Sequence, residues 1–329
     1  MIACSGSAFP AATFPATTRD PGPGRPLKED GRRSPGAPPE APGDAVLEVR
    51  DVFEDDFHRI HEELLVRLDP RVARSRWERL FHHPWRDSSR PVGVALQDAG
   101  RPVGFLSLLF SPLPPEDPGS TICNLSSWVV LDEYRGSSLR LLGPVLSHPE
   151  WTVTNLTPTE EVGRLFQRLG FRTLETHRCL LPLRPDLLLR PVRGVEVRAV
   201  DPADPGELEG AHRWLVEQHG EMAHYLALEG SQSRGLVVYG LGRVRGLPAV
   251  RLHHVSDPLL FREALGPVQR LLLRKHGACM LVFDGRILGS HTPQGTLHRP
   301  LPVERLFRSN DRTETELTEL FSEMILLDL

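Results

Sequence analysis

The sequence predicts a mixed α/β fold laid down twice along the chain, each copy a mostly antiparallel sheet flanked by helices. Three observations carry this. Pro91–Gln97 and Pro102–Phe110 flank Asp98-Ala-Gly-Arg101, a hairpin with its turn residues in place. Trp128-Val-Val-Leu-Asp-Glu-Tyr-Arg-Gly-Ser-Ser-Leu-Arg-Leu-Leu142 runs from an apolar strand through an Arg-Gly-Ser-Ser turn into an apolar helical run. Gly235–Arg243 and Leu247–His254 then repeat the hairpin pattern, with Gly242-Arg243 standing where Gly100-Arg101 stands. Short apolar hairpins are common, so this repeat alone leaves the duplication open.

Residues 1–44 are dense in Pro, Gly, Ala and Ser and carry few large apolar residues, too little burial to offset the entropy of ordering; a disordered tail is expected. A first domain is expected over 45–184. It opens on a strand near 46–49, followed by a helix through 57–65 with apolar residues at helical spacing and a second helix near 71–81. After the hairpin come a strand at 121–131 and a helix at 136–147, shortened or kinked because Pro144 removes an N–H. A strand at 151–155 leads to a helix at 158–169. Thr157 and Glu160 match a capping box there, Pro158 takes the first helical position, and Gly170 closes the far end. Two closing strands are expected at 171–175 and 178–183. Residues 185–194 read as a Pro-punctuated linker, and a diverged second domain over 195–329 carries the repeated hairpin, a helix at 258–275 and a strand at 278–283.

Composition narrows the function classes. At 329 residues the chain is long enough for two ordinary domains. A net charge of −4 argues against the broad basic face that nucleic-acid binding needs. The four cysteines, Cys4, Cys123, Cys179 and Cys279, form no Cys-x-x-Cys pair, which fits a reducing compartment and gives no disulfide framework. His82-His83 and His253-His254 lack a third ligand at a convincing spacing, so no metal is expected. Nothing approaches the ~18 uninterrupted apolar residues of a membrane span, and no secretion signal opens the chain. The expected address is the cytoplasm.

The strand–turn–helix at 128–142, with the capped helix ending in Leu169-Gly-Phe171, resembles the coenzyme A-binding core of the GNAT-type N-acyltransferases over roughly residues 45–190. The resemblance implies their mixed, mostly antiparallel sheet, and acetyl-CoA or another acyl-CoA as a substrate, with no metal. It places the pantetheine arm along Trp128 and Val130, and the diphosphate on Arg135, Gly136, Ser137, Ser138, Leu139 and Arg140. Backbone N–H groups at a strand-to-helix turn suit phosphate oxygens. Ser138 and Arg140 stand where the family has glycines; Arg140 could instead offer its guanidinium to a phosphate. On a plainer reading Arg135 and Arg140 are solvated helix-start residues.

The same resemblance puts a carboxylate base about eleven residues before the turn's Arg, which here is Asn124, a group unable to act as a base. Its acid, a Tyr, falls at Phe166, which shares one helical face with Val162, Leu165 and Leu169 and is more simply a core residue. Positioning alone can contribute on the order of 7–11 kcal/mol, so these losses do not forbid catalysis. Asn124, Tyr134 and Asn155 are the candidate catalytic residues, with Ser126, His82, His83 and His177 behind them; Asn124 could equally cap a strand end. The acceptor implied is an amine on a small molecule or an amino sugar. The tract Leu320–Leu327 is similar to tracts in polysaccharide-associated bacterial acyltransferases. Two other readings stand beside this one: a catalytically silent acyl-CoA-binding or scaffolding module, and a homodimer formed through sheet edges.

Overall fold

The computed structural model describes residues 47–112, 120–189 and 195–329. The expected tail at 1–44 and the linker's residues 190–194 lie outside them. Strand β1 (Glu48–Val52) leads to a helical run of α1 (Phe57–Ile60), a π turn (His61–Leu65) and α2 (Val66–Leu68), then α3 (Arg74–Glu78). Next come β2 (Gly93–Asp98), β3 (Arg101–Phe110) and β4 (Ile122–Val130), a 3-10 run at Asp132–Leu142, α4 (Gly143–Leu146), β5 (Thr152–Asn155), α5 (Glu160–Arg168) and β6 (Arg172–Pro182). The second half holds β7 (Glu196–Val200), α6 (Gly210–His219), β8 (His224–Glu229), β9 (Arg234–Val244), β10 (Leu247–Val255), α7 (Pro258–Glu263), α8 (Leu265–His276), β11 (Met280–Asp284), α9 (Gly285–Leu288), β12 (Leu297–Arg308) and α10 (Glu323–Leu326).

Among the described residues all twelve strands join one sheet in the order β1-β2-β3-β4-β5-β12-β6-β11-β10-β9-β8-β7. Read from its two edges the order is symmetric. Strands β1 to β4 are mirrored by β7 to β10, β4·β5 and β10·β11 are the two parallel pairs, and β5·β12 and β11·β6 are antiparallel. The chain is therefore a duplication in which each half gives its last strand to the other. Strand β6 completes the second half beside β11, β12 completes the first beside β5, and the two pair with each other at the centre.

This exchange corrects the two closing strands expected at 171–175 and 178–183, which are one strand that leaves its own half. It also corrects the alignment of the repeats: β9–β10 matches β3–β4 by topology, so Gly242-Arg243 does not stand where Gly100-Arg101 stands. The resemblance between the hairpins has a local cause instead. Ala99-Gly100 (φ 46° and 81°) and Arg245-Gly246 (φ 50° and 82°) are both two-residue turns with positive φ, the kind whose twist matches the flanking strands.

The helix expected at 136–147 is replaced by eleven residues of 3-10 helix and a four-residue α4. Gly136, Ser137 and Ser138 are weak helix formers, and Pro144, unable to sit in a helix interior, starts α4 instead. The helix expected at 71–81 shrinks to α3. The capping box at Thr157 and Glu160 is not used: α5 begins two residues later, with Thr159 Oγ1 accepting from the Val162 amide at 3.3 Å. Gly170 (φ 86°) closes it as expected.

One face of the sheet carries a single apolar cluster that crosses both halves. It joins Phe57, Trp77, Phe81, Trp85 and Phe105 to Leu215, Tyr225 and Val238 through Leu320, Phe321 and Ile325 of the C-terminal segment. On the other face each half has its own cluster, around Leu141 and Phe166 in the first and Phe261 and Leu272 in the second. Because β12 lies between β5 and β6, residues 47–189 and 195–329 expressed separately should each be insoluble or unfolded, whereas co-expression should give a stable complex. Size exclusion and circular dichroism of the two preparations check this.

Candidate functional site

Strands β4 and β5 are bonded only where Ile122, Cys123 and Asn124 meet Thr152, Val153 and Thr154. Beyond Asn124, β4 continues to Val130 along β3 while β5 ends at Asn155, so among the described residues a length of β4 edge has no strand on its β5 side. Ser127 (φ 50°) sits in this stretch opposite a shift in the β3–β4 register, a bulge that re-aims the strand. The second half repeats the geometry: β10 and β11 pair only over Ala249–Arg251 and Met280–Val282, and β10 runs on to Val255. The molecule thus has two wedges, each open towards the end of a parallel pair.

Trp128 and Val130, expected beside the pantetheine arm, lie on the free length of β4. Trp128 stacks on Phe166 at 5.9 Å between ring centroids, and its buried Nε1 has no hydrogen-bond partner among the described residues. The turn beyond differs from the expected cradle of free amides. In a 3-10 helix each amide past the first turn donates to the carbonyl three residues back, which draws Gly136, Ser137, Ser138, Leu139 and Arg140 into local bonds. Arg135 pairs with Asp132 at 2.8 Å, and Arg140 donates to the Leu47 carbonyl. Gly136 has no positive φ, and a Cβ placed there would meet nothing within 4 Å. At the second wedge the Asp257 carboxylate caps α7, accepting from the Leu260 amide at 2.9 Å, and Pro258 has no amide to offer. That helix start already holds a negative charge.

The structure places Asn124 and Asn155 near one another in the sheet but on its opposite faces, since Asn124 is in register with Thr154 and successive strand residues alternate. Asn124 and Thr154 are partners across the wedge, with Nδ2 donating to Thr154 Oγ1 at 3.1 Å, and Asn155 follows directly; the Asn124 Oδ1 has no partner. Tyr134 is elsewhere. It comes after Val130, six strand residues or about 20 Å from Asn124 at ~3.3 Å per residue, and its hydroxyl donates to Asp98 at the hairpin turn. That bond, then burial, raises its pKa further from the neutral range. Ser126 bonds the neighbouring Ser127. His83 is held near the Arg79 carbonyl and pushed down to about 4 by burial, and His177 sits beside Thr176; neither reaches the wedge.

Sequence reasoning missed the polar group at the centre of the sheet. Arg305 of β12 pairs with Asp284 at 2.7 Å and with Glu319, whose other oxygen lies 2.7 Å from His253 Nδ1. All four are at least 96% buried. Burial opposes ionisation of Glu319, but Arg305 and then His253 outweigh it and hold the carboxyl well below its usual range. Burial also lowers Arg251 to about 10, with Arg178 adding repulsion. Four residues on, Glu323 Oε1 accepts from Thr157 Oγ1 at 2.8 Å, its Oε2 has no partner, and burial raises its pKa to about 7. The signal was present as two glutamates inside the apolar tract Leu317–Leu327, where an acid has to find a partner or stay protonated.

No helix among the described residues is long and apolar enough to cross a membrane. No family model and no curated protein matches the chain. Solved structures do. A GCN5-related N-acetyltransferase from Anabaena variabilis is 11% identical over 79% of this chain and 72% of its own, with a TM-score of 0.52. One from Kribbella flavida is 14% identical over 80% and 71%, at 0.50. A GCN5-related glucosamine N-acetyltransferase region in a fungal multi-domain GH3 β-N-acetylglucosaminidase is 12% identical over 82% of this chain and 38% of that one, at 0.50. The chain has the GNAT fold, in two tandem copies with exchanged final strands.

Two predictions follow from the buried network. Arg305→Leu leaves Asp284 and Glu319 without their shared cation and should cost about 3–5 kcal/mol of stability by urea denaturation. Glu323 is protonated more readily in the folded chain than in the unfolded one. Its contribution is therefore full below about pH 4.5 and lost as pH rises through about 7. Thermal melts should show wild type losing stability against Glu323→Gln over that window, by up to about 3 kcal/mol.

Proposed function

We propose that the chain is an acyl-CoA-dependent N-acyltransferase of the cytoplasm, moving an acetyl or other acyl group to an amine on a small molecule or amino sugar. The observation that carries the reading is the free length of β4 beyond Asn124. Strand N–H and C=O groups without a partner strand call for other hydrogen-bonding groups, and the amide-bearing pantetheine arm is an extended chain that can add there as a strand would. Trp128 and Val130 would line the arm. Arg135, Gly136 and the hydroxyls of Ser137 and Ser138 would face the diphosphate, with Leu139 and Arg140 bounding it. The first wedge is the better donor site, because Asp257 at the second would repel an anion.

Chemistry at this wedge would rest on holding a neutral amine against the thioester, with Asn124 orienting the acceptor or a water on one face of the sheet and Asn155 available only on the other. A specific observation favours the second reading, a silent acyl-CoA-binding or scaffolding module: neither Asn124 nor Phe166, at the positions of the family's base and acid, can move a proton. Calorimetry with acetyl-CoA, followed by thiol release with a panel of amines and amino sugars, separates the two. Binding with release supports the transferase, binding without release the silent module, and no binding removes both.

Gly136→Asp tests the diphosphate placement without steric cost, since the added side chain has open space. It should weaken acetyl-CoA binding about tenfold or more at low salt, while leaving the melting temperature unchanged; equal affinity would show that the diphosphate lies elsewhere.

A further inference from the structure

Asn124 leaves the first wedge without a base on its own strand, and the segment that follows β5 engages an acid from elsewhere in the chain. Thr157 lies two residues beyond Asn155, at the point where β5 has ended and β4 runs on alone. Its hydroxyl does not cap the following helix. It donates to Glu323, brought from the far end of the sequence by the C-terminal segment. Leu156 and Met324, the neighbours of the two residues, share one buried apolar cluster with Phe307 of β12, which fixes the segment against the wedge. Further anchors hold it there: Arg286 donates to the Leu317 carbonyl, Glu319 is clamped by Arg305 and His253, and Arg76 donates to the Leu327 carbonyl at 3.3 Å.

Glu323 is 1% exposed, one carboxylate oxygen is oriented by Thr157, and the other has no hydrogen-bond partner. A buried polar atom without a partner in an otherwise satisfied segment calls for an explanation. We propose that Glu323 is the general base of the acyl transfer, its unpartnered oxygen taking a proton from the acceptor's ammonium group. This rests on the transferase reading. In the step, the carboxylate removes one proton from the ammonium and the freed nitrogen pair forms the C–N bond with the thioester carbonyl. The C–S bond then breaks, the departing thiolate receives the second proton lost by nitrogen, and Glu323 returns its proton to solvent. The charged groups facing Glu323 are Arg305 of β12, which favours its ionised form, and Glu319 of its own segment, which opposes it; burial outweighs both and brings the carboxyl to about 7, where a base works efficiently at neutral pH.

Glu323→Gln keeps the shape and the Thr157 bond and removes only the ionisation. With wild type and variant measured from pH 5.5 to 9, the variant's kcat/KM should fall about a hundredfold or more, the rise in rate centred near pH 7 should disappear, and acetyl-CoA affinity by calorimetry should stay unchanged. Glu323→Asp, which sets the carboxylate back by one methylene, should lose rate but keep the pH-dependent rise, so a general folding defect can be told from loss of the base. If Glu323→Gln stays within threefold of wild type, or keeps the rise near pH 7, the assignment is overturned while the transferase reading stands. If wild type binds acetyl-CoA but turns over no amine, both fall.

Discussion

The central antiparallel pair of β12 and β6 is the constraint on which the rest depends. Had each half kept its own last strand, the chain would carry two sheets joined by a linker, free to move. With the strands exchanged, the hydrogen bonds of one continuous sheet set the distance between the wedges. The exchange also brings the C-terminal segment back across the centre, where Leu320, Phe321 and Ile325 complete an apolar cluster neither half could close alone. Residues far apart in sequence, such as Thr157 and Glu323, meet because of it.

The ionic group under that segment is better understood as a positioning device than as a source of stability. Taking Arg305, Asp284 and Glu319 out of water costs about as much as their attraction returns, and apolar residues of similar volume often do as well. What apolar residues would not supply is direction. One guanidinium joins β12, β11 and the C-terminal segment at fixed geometry, and the Glu319 to His253 contact adds β10. Once Glu319 is fixed, Ser322 and Glu323 follow on a short stretch of chain with little freedom, and the carboxyl at 323 is left beside Thr157 with burial favouring its neutral form.

The sequence was informative where local chemistry decides the outcome. The Ala99-Gly100 turn, the Gly170 helix end and the apolar strands at β2, β3 and β4 could be read directly, because turn residues and alternation act over a few positions. The family likeness of the first half was legible for the same reason. What could not be read was long-range. Nothing in Arg172–Pro182 distinguishes a strand that stays in its own half from one that crosses, since either choice buries the same side chains. Thr157 followed by Pro158 and Glu160 matches a cap, and only the arrival of Glu323 from the other end of the chain diverts its hydroxyl. In the site, the strand that carries Trp128 and Val130 was legible, whereas the 3-10 run that takes up the amides of the turn was not, and sequence proximity to the turn says nothing of the Asp98 carboxylate that engages Tyr134.

The duplication explains why two similar wedges need not do the same work. At the first, the strand end leads into 3-10 helix with an exposed, unobstructed Gly136. At the second, Asp257 caps the helix and Pro258 removes a donor, so the local field opposes a phosphate. The floor beside it carries Arg251 and His253 of β10, which line a cavity with Asp328 and Leu329 of the C-terminal segment, while Asp284 of β11 pairs with Arg305 of β12. Arg305 and His253 hold Glu319 in place, and Glu319 sits four residues from the Glu323 carboxyl, which accepts from Thr157 just beyond β5. The second half is then no idle copy: its buried ionic group fixes the C-terminal segment against the centre of the sheet.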